Sequence, residues 1–180
     1  MANKKIGFYG KLESTANNKV ENLYIVVNNT SIVFVVKNIV KNEFVSIEHF
    51  EQTEEATSWS PLLAYLQNNS SLIQNYYKNI FLVINSNRLI LSQTDTKDNL
   101  LSASHELELI HGHKFDEEIY TSSVGDKHFL IYGIADELSA ILNRYFPSGK
   151  WQHYTSYFLG NVLDTEVQVR IFEDCFIIYI

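Results

Sequence analysis

Leu23-Tyr24-Ile25-Val26-Val27, then Asn28-Asn29-Thr30-Ser31, then Ile32-Val33-Phe34-Val35-Val36 form the segment around which the domain is organised. Two runs of β-branched and aromatic residues flank a four-residue polar turn. Such side chains suit a pleated surface and asparagine tolerates tight turns, so the pattern is a β-hairpin. A third strand run, Glu43–Phe50, follows across Lys37–Asn42. Three consecutive antiparallel strands therefore open the domain. Residues 1–21 ahead of them are polar, with Ser14, Thr15, Asn17 and Asn18 clustered, and read as a mobile lead-in.

Downstream, Ser60 before Pro61 reads as an N-cap followed by a first-turn proline, with Leu62, Leu63, Tyr65 and Leu66 as the apolar face of a helix. A short helical turn is expected over Leu72–Tyr77, a buried strand over Ile80–Ile84 and a short strand over Leu89–Leu91. Asp95 precedes a helix through Leu100, Leu101 and Ala103, whereas His105–Asp116 shows no clear period. Strands at Glu118–Ser122 and His128–Tyr132 join across Gly125-Asp126. Ile134, Leu138, Ile141, Leu142, Tyr145 and Phe146 recur at the helical period. Asp136 and Glu137 in the first turn and Arg144 in the last suit the helix dipole, and Pro147 ends the helix. Trp151–Tyr154 reads as strand or loop and Ser156–Leu163 as a short helix.

Val167–Phe172 and Cys175–Ile180, joined by Glu173-Asp174, make a second hairpin. The opening hairpin thus recurs after a β-β-β-α-β-α unit, the pattern of a fold made from two similar lobes. The expected organisation is a lead-in over 1–21, a first lobe over 22–165, and the first hairpin of a second lobe over 166–180. Ile180 falls inside an apolar strand, which either pairs within this domain or belongs to a longer protein; the expectation is the second, a second lobe only begun, with its side as the interaction surface.

Composition narrows the function classes. Of 180 residues, 46% are hydrophobic and 13% aromatic, enough for a sizeable core. The chain carries 14 Lys and Arg against 21 Asp and Glu, a net charge of −7. Affinity for nucleic acid or an anionic membrane comes from clustered cations, and Lys4-Lys5, Lys37 and Lys41 are the nearest approach to a cluster, so neither partner is expected. The N-terminus lacks the apolar run of a signal peptide, and the longest apolar runs, 32–36 and 176–180, are strand-sized. A cytoplasmic protein is the expectation. The single cysteine, Cys175, lies in an apolar run and reads as a buried, inert thiol.

Asn79-Ile-Phe-Leu-Val-Ile-Asn-Ser-Asn-Arg-Leu-Ile-Leu-Ser92 is similar to the strand, turn and strand of a bacterial domain-of-unknown-function family (number 3822). So is the later run Lys127-His-Phe-Leu-Ile-Tyr-Gly-Ile134, with its helix ending at Phe146-Pro147, then His153 and Tyr157-Phe158-Leu159. The resemblance spans about Leu23 to Ile180; the Val-Pro pair frequent in that family near Leu91-Ser92-Gln93 is absent here. It implies an α/β, actin-like fold of RNase H-like lobes, a mixed sheet opened by antiparallel strands with flanking helices. It implies no assigned activity, and a full-length protein longer than this chain. At the level of fold it also looks similar to the actin-like cytoplasmic domains of pilus and secretion assembly proteins, which act as scaffolds.

In actin-like ATPases two hairpin turns hold the nucleotide phosphates, each with Asp and Gly: glycine admits the phosphates to the backbone, and aspartate positions metal and water. The positions that this resemblance maps are Asn28, Asn29, Thr30 and Ser31 in the first turn, with neither Asp nor Gly, and Glu173-Asp174 in the second, acidic and without glycine. The expectation is therefore no hydrolysis, no cofactor and no enzyme. What remains is a non-catalytic interaction or scaffold role with a protein partner. The runner-up is a degenerate nucleotide-binding protein that holds ATP through Thr30 and Ser31 with little or no hydrolysis.

Other motifs add little chemistry. Pro147-Ser148-Gly149-Lys150 lacks the upstream glycine of a phosphate-binding loop, and Trp151 stands where a Ser or Thr should hold magnesium. His111-Gly112-His113, with His105 and Asp116 nearby, invites a zinc reading on a strand, but its spacing is not diagnostic and no metal is expected. Asp116-Glu117-Glu118 reads as a solvated loop. No G-x-S-x-G elbow presents a nucleophile, and a Cys175–His153 pair has no motif behind it. Tyr76-Tyr77, Tyr154 and Tyr157-Phe158 read as core or interface, because no basic groove accompanies them.

Overall fold

A computed structural model of the chain describes residues 2–52, 58–92, 100–114, 116–124, 128–159, 168–171 and 176–179. The first four strands are β1 (Ala2–Tyr9), β2 (Glu21–Val27), β3 (Ser31–Asn38) and β4 (Glu43–Gln52). Helix α1 (Ser60–Asn69) leads to β5 (Asn79–Ile84) and β6 (Leu89–Ser92), and α2 (Leu100–His111) to β7 (Glu117–Val124) and β8 (His128–Ala135). Helix α3 (Asp136–Tyr145), β9 (Gly149–His153), α4 (Ser156–Leu159) and a hairpin of β10 (Gln168–Ile171) with β11 (Phe176–Tyr179) complete the order.

Six strands form one mixed sheet in the order β1-β4-β3-β2-β5-β9. The hairpin forms in the expected register, Val27 opposite Ile32, and β4 extends it antiparallel. Strand β5 then lies parallel to β2, and β9 parallel to β5. The parallel pairs require crossovers, which α1 and the segment of β6 to α3 supply. A smaller antiparallel sheet has the order β6-β8-β7.

One face of the large sheet carries Leu23, Ile25, Val27, Ile32, Phe34, Val36, Phe50, Leu82 and Ile84, all buried in one cluster. Against it pack Leu62, Leu63 and Leu66 of α1, Leu138 and Leu142 of α3, and Leu130, Tyr132 and Ile134 of β8. Phe34 anchors the centre, edge-on to Phe50 at 6.0 Å and tilted against Phe146 at 6.4 Å. Strand β8 is buried on both sides, since Ile131 points the other way to meet Ala103 and Leu107 of α2. No described helix is long and apolar enough to cross a membrane.

Four local expectations are corrected. The lead-in placed before Glu21 begins as a strand, because Lys4 and Tyr9 of β1 reach the buried Glu48 carboxylate of β4 at 2.7 and 2.6 Å. Leu72–Tyr77 is a non-helical turn, closed by the Tyr77 hydroxyl on the Leu72 carbonyl at 2.7 Å. Ser60 is the first helical residue rather than the cap; Glu137 of α3 caps α1 instead, accepting from the Ser58 and Ser60 hydroxyls and the Trp59 and Ser60 N–H groups. The unreadable stretch from His105 is the second half of α2, which has apolar residues on both faces and so blurs the helical period. Asp95, the Gly125-Asp126 and Glu173-Asp174 turns, Cys175, and residues 160–163 of the expected last helix lie outside the described residues.

Candidate functional site

In open sheets with parallel strands, ligands tend to sit beyond the carboxyl ends of those strands. Here β2 and β5 end side by side in a cleft of about 190 Å3, lined by Asn28 and Asn29, by Asn85 and Ser86, and by Trp59, Lys114, Gly133 and Leu138. Two of the four mapped phosphate-loop positions, Asn28 and Asn29, thus line the cleft, with Thr30 and Ser31 completing the turn.

The cleft floor is made of amides bonded to one another. Asn28 donates its N–H to the Ser31 carbonyl at 2.9 Å and its side-chain amide to the Ser31 hydroxyl at 3.0 Å. The Asn85 amide donates to Asn28 Oδ1 at 3.1 Å, and its N–H to the Val27 carbonyl at 2.9 Å. A matching pair, Asn79 to Asn22 at 3.1 Å, stands at the other end of the same two strands. The amide pairs bracket β2 and β5 and fix their register, so the Ser31 hydroxyl and the Asn28 amide are already engaged. Among the described lining residues none is Asp or Glu; a described carboxylate, Glu117, packs against Gly133 of that lining.

Charge enters the cleft from one side. Arg88 Nε donates to Glu117 at 2.6 Å, and Lys114 stands 3.7 Å from the other Glu117 oxygen. Gly133 makes room for this carboxylate, since a Cβ there would meet it at 2.0 Å. Arg88 also donates to the carbonyls of His111 at 3.1 Å and Gly112 at 2.8 Å, capping α2, and Gly112 at φ +76° ends that helix.

The His111-Gly112-His113 motif is therefore a helix terminus, not a strand face. The His111 ring is 3.0 Å from the Leu89 carbonyl and His113 pairs with Glu108 at 2.9 Å, so the two rings serve different partners. Among the described residues no group of three or more His, Cys, Asp and Glu is placed to hold a metal ion. His153 is buried under the cleft. Its Nδ1 accepts the Thr155 N–H at 3.1 Å, while Nε2 lies 2.9 Å from the Ser86 carbonyl and 3.3 Å from the Ser86 N–H. Burial holds this imidazole below its ordinary pKa, only partly offset by the Ser86 contact, so it is a neutral structural group. Cys175, whose pairing with it no motif supports, lies outside the described residues.

A second candidate surface is the opposite face of the large sheet. Phe8, Val35, Phe44, Ser46 and Ile47 line one hollow of about 350 Å3. Tyr24, Val26, Lys37, Val83 and Tyr154 line another of about 310 Å3, which shares Val35 and Phe44 with the first. Phe44, 71% exposed, is the ridge between them. Lys37 lies 5.7 Å from the Phe44 ring and Lys150 lies 5.8 Å from Phe81, which itself stacks on Tyr24 at 5.0 Å. The interaction surface expected along 175–180 is not this one, and the side chains there lie outside the described residues. Sequence reasoning missed both Asn85 and Phe44. Asn85 directly follows a strand run, as Asn28 does, and Phe44 lies just past a register shift in the β3–β4 pairing, so only the sheet order reveals what each faces.

Residues 11–178 match the model of a family described as "Protein of unknown function (DUF3822)". No curated protein matches the chain. Among solved structures, a Bacteroides thetaiotaomicron protein described as having an actin-like ATPase fold and unknown function superposes with a TM-score of 0.71 at 17% identity. The match covers 82% of this chain and 56% of that one, so this chain spans about half the length of that relative. At that identity the likeness establishes the fold, actin-like, and nothing further. The cytoplasmic domain of EpsL, an inner-membrane component of the Vibrio cholerae type II secretion system, aligns with a TM-score of 0.39 at 12% identity over 72% of this chain and 55% of that one. That likeness is too loose to bear on function.

Proposed function

This chain belongs to the DUF3822 family, and we propose that it serves as a non-catalytic protein-interaction module. The observation that carries this reading is the apolar outer face of the six-stranded sheet, where Phe8 and Phe44 stand 59 and 71% exposed beside two adjoining hollows. A contiguous apolar surface rimmed by polar groups marks a docking site, because leaving it in water costs free energy that a partner would recover. The cleft agrees from the other side, since its floor amides satisfy one another and its described lining residues include no carboxylate.

Genetic complementation in a host where loss of the gene has a measurable phenotype tests the choice between the two surfaces. A chain carrying Phe8→Asp and Phe44→Asp, both at exposed positions, is expected to fold and to fail in complementation. A chain carrying Asn28→Ala and Asn85→Ala is expected to complement. The reverse pattern would overturn the reading and move the function to the cleft.

One observation favours a second reading, a nucleotide held without hydrolysis: the cleft sits at the carboxyl ends of parallel strands, with Lys114 on its wall. A ligand bound only by the folded state stabilises it by about 2.7 kcal/mol at a hundred times its Kd. The interaction reading expects no change in melting temperature with ATP and magnesium; a clear rise would promote the second.

A further inference from the structure

The molecule has another unpartnered apolar surface, on the outer side of α2. Ala103 and Leu107 face inward to β8. Leu101 and Leu109 fall on the opposite side, and with Ile110 they are 85, 70 and 70% exposed. On a helix, residues four apart stack on one side, so Leu101, His105 and Leu109 form one stripe. Glu106 and Glu108 flank it on either edge. Glu106 makes no ion pair among the described residues, and the only ion-pair partner of Glu108 there is His113.

The outer face of the large sheet has the opposite character at its rim. In a chain of net charge −7, the cations poised over its aromatic rings are Lys37 and Lys150, and neither makes an ion pair among the described residues. Among the described residues on that side, Glu51 is already held by Lys5 at 3.1 Å. The hollows on either side of Phe44 offer two apolar seats. The stripe offers two leucines, about 12 Å apart at 1.5 Å of rise per residue.

From this complementarity of shape and charge we propose that the occupant of the open sheet face is α2 of a second copy of this chain. The inference rests on the interaction reading above and names its partner. Leu101 and Leu109 seat on the two sides of Phe44, while Glu106 meets the lysine rim. The two surfaces are different patches of one molecule, so the contact is heterologous and runs head to tail. Each copy that docks its helix still presents an open face to the next.

Sedimentation velocity of the full chain over a range of concentrations tests this. The wild type is expected to grow in mass with concentration and to dissociate as salt is raised, since the rim contacts are exposed and screened. Phe44→Asp and the pair Leu101→Asp with Leu109→Asp each remove one surface, and each variant is expected to stay monomeric. Mixed in equal amounts, they are expected to form a dimer and nothing larger, because one intact face then meets one intact helix. A mixture that stays monomeric, or association lost only in Phe44→Asp, overturns the head-to-tail contact. If the wild type is monomeric throughout, self-docking falls. In that case, failure of Phe8→Asp with Phe44→Asp in complementation would leave the interaction reading standing with a different partner.

Discussion

Phe34 and Phe44 lie on neighbouring strands of one sheet, yet they end in opposite states. Phe34 is 1% exposed among Phe50, Phe146 and the leucines of α1, while Phe44 stands 71% exposed between two hollows. The strands supply aliphatic and aromatic residues to both faces: Leu23 and Ile25 on one side of β2, Tyr24 and Val26 on the other. Composition therefore does not separate the faces. What separates them is the chain that follows: α1, α3 and β8 all pack on the same side of the sheet. Strands that read as continuous apolar runs are normally covered on both faces. The interaction reading proposed above rests on the face that those elements leave aside.

Truncating each ring in turn tests how differently the two positions are held. Phe34→Ala removes a fully packed ring and is expected to cost about 3 to 5 kcal/mol in urea unfolding. Phe44→Ala at its exposed ridge is expected to change stability by no more than about 0.5 kcal/mol. Comparable losses at both positions would mean that Phe44 is covered in solution, and the outer face would no longer be a free surface.

The same contrast holds for ion pairs. Arg88 and Glu117 meet inside the molecule with side chains 13 and 2% exposed, whereas Lys5 and Glu51 meet at the outer rim at 51 and 41%. Arg88→Met strands a buried carboxylate whose remaining cation, Lys114, stands 3.7 Å away, and it uncaps α2. A loss of about 3 kcal/mol is expected, because removing one partner of a buried pair leaves an uncompensated charge. Lys5→Met should move the same unfolding curve by about 0.5 kcal/mol at most. Equal effects would show that the Glu117 site is hydrated.

The sequence carried the scaffold more fully than the site. Strands β2 to β5 and helix α3 were legible because their signals are local: β-branched runs, asparagine turns, and a clean helical period closed by Pro147. Strand β1 was not, since an edge strand buries little and its hold on β4 depends on Glu48, forty-four residues from Lys4. Helix α2 was half legible, because its outward leucines mask the period that Ala103 and Leu107 set. At the cleft, the turn residues Asn28 to Ser31 could be placed by pattern, but their pairing with Asn85 depends on the parallel register of β2 and β5. The outer face had no sequence signal at all. Exposure of Phe44 follows from which side the helices choose, and that choice is a long-range property of the fold.

Strand β1 is expected to show the smallest and most selective effect, because its backbone ladder with β4 is anchored by side chains gathered on one carboxylate. Glu48 is fully buried on the inner face and accepts from Lys4 Nζ, the Tyr9 hydroxyl, the Ser70 hydroxyl and both the N–H and hydroxyl of Ser71. Burial pushes this carboxyl up; the Lys4 ammonium, the Ser70 and Tyr9 hydroxyls and the Ser71 N–H outweigh it and hold it below its ordinary 4.5. A folded pKa below the unfolded one means that the unfolded strand binds more protons in acid. The contribution is therefore fully present above 4.5 and fades as pH falls through the folded value. Amide exchange followed by NMR from pH 6 down to pH 3 resolves it by strand. Protection in the β1–β4 ladder is expected to weaken before protection in β2–β3, whose inner face is apolar and carries no titrating group apart from Glu21 at its far end. Glu48→Gln should lower β1–β4 protection at neutral pH and remove most of its pH dependence. Simultaneous loss of protection in both ladders would show that β1 is held by the core as a whole, and not by the Glu48 contacts.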